Sequence, residues 1–269
     1  ALTHLSCVNT QVTSLDLGDC VNLEELFCQA NQLTYLNVSN STALSDLWCQ
    51  NNQLTSLDVS ANTALTYLRC EDNQLTSLDV SANTALTELW CYSNQLTSLD
   101  VLNNTALTVL QFNSNLLTSV NVSNLTALTT LWCGDNPLTS VNVSNNTALQ
   151  ELRCHSNQLT SLDVSANTAL NVLSCDYNQL TSLDVSANTA LTELDCSNNQ
   201  LTYLNMKNGA TGQLSTFSAT GNSSLTCIET LDPAYATANW TLANGNIDDG
   251  VTFDVICVAE AQTNWYVTT

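Results

Sequence analysis

The chain is 269 residues long and carries 24 acidic against 3 basic residues, a formal net charge of -21. So little positive charge argues against nucleic acid or an anionic membrane as partner, since both need basic patches. Nothing in it reads as a membrane span or a signal peptide, so no membrane insertion is expected.

From the first residues onward one unit of 21 residues repeats. Leu2, Leu5 and Cys7 return as Leu23, Leu26 and Cys28, and the cysteine recurs at Cys49, Cys70, Cys91, Cys133, Cys154, Cys175 and Cys196, with Phe112 in step. A short period without insertions predicts a stack of coils, each resting on its neighbours, and one elongated domain rather than two. The chain opens inside a repeat, which reads as a mature fragment or a piece of something longer.

Leu86 to Ala106 serves as the type coil. Leu86, Leu89 and Cys91 alternate with Thr87, Glu88 and Trp90, then Asn94 and Leu96 follow, giving L-x-x-L-x-C-x-x-N-x-L. The segment up to the cysteine predicts a short strand in a parallel sheet running the length of the stack. Asn94 heads a column with Asn31, Asn52, Asn73, Asn115, Asn136, Asn157, Asn178, Asn199 and Asn222. A buried amide there satisfies backbone groups at the turn leaving the strand. The return leg, Leu96 to Val101, alternates with Leu96, Leu99 and Val101 inward, so it predicts an extended convex segment and not a helix. The tail beyond residue 206 holds five of the seven glycines, together with Trp240 and Phe253, and reads as a degenerate repeat and cap covering the last coil.

This pattern matches the leucine-rich repeat, with Cys in the third apolar slot. The unit N-Q-L-T-S-L-D-V-S-A-N-T-A-L-T-x-L-x-C, carried through residues 2–206 and in degenerate form by Leu214, Phe217, Ala219 and Asn222, resembles secreted, internalin-like leucine-rich-repeat proteins of Bacteroidetes bacteria. The stretch from Asn222 to Thr241 is similar to their closing segment, while Val258 to Thr269 have no counterpart that can be placed. The resemblance implies a secreted or surface-attached protein whose concave face binds a partner, without naming that partner. The expected fold is an α/β-class leucine-rich-repeat solenoid, essentially all-β with little or no helix. It should have about eleven right-handed coils, with the repeats in residues 1–206 and the degenerate repeat and cap in 207–269.

Of the twelve cysteines, nine stack in one core column. At about 4.8 Å between strands their side chains run parallel, too far apart for relaxed disulfide geometry, so they are expected to be reduced, buried and apolar. Cys20 lies where most coils place Asn, with no evident partner. Cys227 and Cys257 should pair and staple the end, which points to an oxidising, extracellular setting.

Function is sought in the columns that vary. The residue before each core cysteine points out of the concave sheet: Ser6, Phe27, Trp48, Arg69, Trp90, Gln111, Trp132, Arg153, Ser174, Asp195. Tyr67, Tyr92, His155 and Tyr177 flank this column, with Glu25, Asp46, Glu71, Glu88, Glu151, Asp176 and Glu193. Aromatic residues and arginine together are the composition of binding hot spots. The competing reading is that Trp and Arg merely brace the sheet by cation–π stacking. For a partner, Trp48, Trp90 and Trp132 recur at two strand spacings, about 9.6 Å, near one disaccharide unit of an extended glycan. A protein partner fits as well, and facing this charge it should be basic and salt-sensitive. No enzyme is expected. His155 and Asp176 fall on adjacent strands, but the serine one strand on, Ser197, would adjoin Asp and not His, and Ser174 is only a diagonal neighbour.

No cofactor is expected, with one qualification. Asp58, Asp79 and Asp100 succeed one another on the convex side, where like charges about 4.8 Å apart could bind calcium or simply stay solvated. Asn37, Asn121, Asn142 and Asn205 share that column, so charge there is not essential. An unbroken convex column from Thr34 through Thr97 to Thr202 raises ice binding as a third function, though Thr is also simply a good strand residue. The chain is expected to be a monomer or part of a larger chain.

Overall fold

The structure, a computed structural model, describes residues 2–257. Eleven parallel strands form the concave sheet: His4–Ser6, Glu25–Phe27, Asp46–Trp48, Tyr67–Arg69, Glu88–Trp90, Val109–Gln111, Thr130–Trp132, Glu151–Arg153, Val172–Ser174, Glu193–Asp195 and Thr216–Ser218. The pairing register equals the repeat, so Leu47 lies beside Leu68 and Trp48 beside Arg69. Equivalent residues of successive coils are therefore lateral neighbours, and a column in the sequence is a row in space.

Four leucines, a cysteine and a valine of the type coil fill the interior, Leu99 and Val101 of the return leg among them. Leu86, Leu89, Cys91 and Leu96 are fully buried, as are their counterparts through the middle of the stack. Phe112 takes a cysteine's place and is fully buried too. The cysteines of the column are free, and burial pushes the thiols of Cys28 and Cys154 up to about 12, with the others in the column also raised. They pack as small apolar groups and hold no reactive thiolate at neutral pH. Cys20 is free and partly buried.

Two ladders of asparagine tie coil to coil. In the first, Asn73 donates to the carbonyls of Cys49, Cys70 and Glu71 and accepts from the Leu54 N–H at 3.0 Å, so its amide is fully used. Asn222 repeats the pattern in the degenerate coil. In the second, Asn83 donates to the carbonyls of Val59 and Asn62. The same column holds Asn62, Asn104, Asn146, Asn167 and Asn188, and in all six the side-chain oxygen is buried without a partner among the described residues. The residue before each first-ladder Asn takes a left-handed turn, with φ between 50° and 57° from Ala30 to Asn198.

The convex leg is extended, as its alternation predicts, but it pairs as a ladder only near the ends. Ser14–Asp16 pairs with Tyr35–Asn37. At the far end Ser182–Asp184, Tyr203–Met206, Cys227–Thr230 and Thr252–Asp254 form a second parallel sheet. The cap adds the Pro233–Asn239 helix, whose N-terminus is capped by the Asp232 carboxylate accepting from the Tyr235 N–H. Trp240 closes the core by packing on Phe217 and Phe253, with ring centroids at 4.3 and 5.8 Å. Cys227 and Cys257 form a disulfide that fixes the final strand. At the other end Leu5, Cys7, Val12 and Leu15 are only partly buried. The segment Val258 to Thr269, which closes the expected 207–269 unit, lies outside the described residues.

Candidate functional site

Register places Phe27, Trp48, Arg69, Trp90, Gln111, Trp132 and Arg153 side by side along the concave sheet. They interlock. Phe27 meets Trp48 edge-on at 5.1 Å, and the Arg69 guanidinium lies 3.6 Å from the Trp90 ring centroid and 4.8 Å from that of Trp48. Arg153 stacks on Trp132 at 5.1 Å and donates to Glu151. The indoles are thus half-buried and not the open platforms expected from their column, and Gln111 between Trp90 and Trp132 is buried. The physical reason is lateral crowding: at one strand spacing, large side chains cover one another before a partner does. The indole N–H groups of Trp48, Trp90 and Trp132 are buried with no acceptor among the described residues.

Glu71 also departs from expectation. It was expected to face solvent with the other acids, yet it is 3% exposed. Its Oε1 lies 3.8 Å from the Arg69 Nε. Burial pushes its carboxyl up to about 7, against the opposing pull of backbone N–H and Arg69. Tyr67 is exposed between Asp46 and Glu88, its strand neighbours, and Tyr92 is half-buried one coil on. Together Asp46, Trp48, Tyr67, Arg69, Glu88 and Trp90 line a pocket of about 270 Å³.

Toward the far end Tyr177 is 60% exposed in a left-handed conformation, φ 50°. Beside it His155 does what strand adjacency alone did not suggest. Its Nε2 lies 3.4 Å from Asp135 Oδ2, and its Nδ1 lies 3.4 Å from the Ser174 hydroxyl. Ser174 is within reach of His155 after all. Its proton, however, goes to Asp176 at 2.7 Å, so the hydroxyl is not held as a nucleophile against the imidazole. The signal for this cluster is Gly134, one of two glycines in the regular coils, the other being Gly18. A Cβ there would sit 2.6 Å from the His155 ring, so its absence lets the imidazole lie across the previous coil.

On the convex face Asp58, Asp79 and Asp100 each accept from the backbone N–H two residues on, at 2.9–3.0 Å. Asn37, Asn121, Asn142 and Asn205 make the same bond. That shared turn explains why Asp and Asn interchange in the column. Hydrogen bonds from the Ser60 and Ser81 side chains, then their backbone N–H groups, hold Asp58 and Asp79 below the usual carboxylate range. Among the described residues no group of three or more His, Cys, Asp or Glu could hold a metal.

A family model for leucine-rich repeats matches residues 63–104. The functional domain of InlJ from Listeria monocytogenes, which includes a cysteine ladder, is 36% identical, with a TM-score of 0.78 over 85% of this chain and 59% of that one. The fold is a leucine-rich-repeat solenoid. In repeat and in fold the chain is internalin-like. A leucine-rich-repeat protein of Leptospira interrogans is 26% identical over 82% of this chain and 64% of its own, with a TM-score of 0.70. An internalin, inlF of Listeria monocytogenes, at 20% identity and a TM-score of 0.66, covering 84% of this chain and 86% of its own, shares the fold. The chain thus spans about three fifths of the InlJ domain and less than two thirds of the Leptospira protein. No curated protein matches the sequence. No described helix is long and apolar enough to cross a membrane.

Proposed function

We propose that the chain is a non-enzymatic binding module, displayed outside the cell, that captures a protein partner on its concave face from Phe27 to Tyr177. The observation that carries this reading is the contrast between columns. Core Leu, Cys and Asn repeat coil after coil, whereas the concave row changes at nearly every coil and concentrates three of the five tryptophans and both arginines. A row serving only to brace the sheet would have no reason to vary from coil to coil. Nor would it hold a bulky Tyr177 in the left-handed region, where most coils place Asn, Asp or Ser. The Cys227–Cys257 disulfide supports an extracellular setting. Stacking of a polysaccharide is the weaker reading, because Arg69 already covers ring faces of Trp48 and Trp90.

The test is capture of surface proteins, with a glycan array in parallel, by the native chain, by Trp48→Ala/Trp90→Ala/Trp132→Ala, and by Tyr177→Asn. Tyr177→Asn relieves backbone strain, so it should fold at least as well as the native chain. Loss of protein capture by both variants supports the concave site. Undiminished capture by both rejects it, and retention of glycans alone would transfer the site to a polysaccharide.

A further inference from the structure

We propose that the pocket lined by Asp46, Tyr67 and Glu88, beside the stack of Trp48, Arg69 and Trp90, receives a lysine or arginine side chain from a basic segment of the protein partner. This deepens the concave-face reading and rests on it. Asp46 and Glu88 stand on the two strands flanking Tyr67, about 9.6 Å apart at two strand spacings, so a cation over the Tyr67 ring lies midway between two carboxylates. Tyr67 is exposed and lines the pocket together with both indoles and Arg69.

Charge complementarity fixes the occupant. The chain has 3 Lys and Arg in all, and each is already committed: Arg69 to Glu71, Arg153 to Glu151, Lys207 to Glu229. Arg69 is the one cation lining the pocket, and it faces two carboxylates, Asp46 and Glu88, so the lining keeps a net negative charge. Asp46 takes only a neutral hydroxyl, from Ser45 at 2.9 Å, and neither Asp46 nor Glu88 has an ionic partner among the described residues. A cation to satisfy them must come from outside. An acidic or neutral side chain would leave both carboxylates desolvated and unpaired, which sets the specificity.

The probes are trilysine and triarginine amides, with triglutamate as control, titrated into the full chain by calorimetry with indole emission followed in parallel. Asp46→Asn/Glu88→Gln should weaken the cationic peptides by about ten-fold or more. The matched control is Asp79→Asn/Asp163→Asn, which removes the same charge from the convex face and keeps its turns, because Asn fills that column in other coils. It should change binding by less than about two-fold. Equal losses in both double variants would mean attraction by net charge alone and overturn the pocket, as would no loss in either. If Trp48→Ala/Trp90→Ala/Trp132→Ala abolishes capture of a protein while Asp46→Asn/Glu88→Gln leaves both that capture and trilysine binding intact, the concave site stands and this assignment falls.

Discussion

Glu71 is the residue whose environment departs most from its column. Gln29 and Gln50 precede it in the same row, so the coil accepts an amide there. Burial raises the folded carboxyl from 4.5 to about 7, so the native state binds a proton that the unfolded chain has released across that range. Stability therefore falls as pH rises from about 4.5 through 7, by on the order of 2–3 kcal/mol, and is flat above. Glu71→Gln should remove most of that fall. Thermal unfolding at pH 8 should show the variant more stable than the native chain, and at pH 5 the two should coincide. A variant no more stable at pH 8 would mean that Arg69 compensates the buried charge fully.

At the scale of the element, the two asparagine ladders look alike in sequence but differ in what they hold. The first column is Asn in ten successive coils, from Asn31 to Asn222, and its amides are used on both sides. The second admits Cys20, Ser41 and Leu125, and its six asparagines leave an oxygen unpaired. Asn73→Leu orphans the Leu54 N–H and strips a donor from three carbonyls, so it should cost on the order of 3–5 kcal/mol. Asn83→Leu strips a donor from two carbonyls but also removes an unsatisfied oxygen, so it should cost about 1 kcal/mol. Chemical unfolding of the two variants checks the order, and equal costs would contradict this division of labour.

For the whole molecule, opposing titrations set a pH optimum. Asp58, Asp79 and Asp163 are held below 3.8 by serine hydrogen bonds, so their stabilising turns are fully present above that value and are lost as pH falls through it. Glu71 acts in the opposite sense and is fully favourable only below about 4.5. The net charge of -21 adds self-repulsion that relaxes as carboxylates protonate. Thermal midpoints measured across pH should therefore peak at about 4.5–5 and decline on both sides. A protein most stable at pH 8 would show that buried carboxylate and net charge contribute nothing.

The architecture was legible in the sequence because a repeat of constant length leaves only one way to pile up: the leucines, the cysteine column, the first Asn ladder and the extended convex leg all follow from the period. The rows of the concave face were legible too, since register equals repeat. The period does not record where a side chain bends once it leaves its strand. Arg69 wedged between two indoles, Glu71 drawn inward beneath it, and His155 lying back across Gly134 to reach Asp135 depend on lateral packing between unlike neighbours. Only the tertiary structure decided those, because they turn on the volumes and charges of residues brought together from different coils.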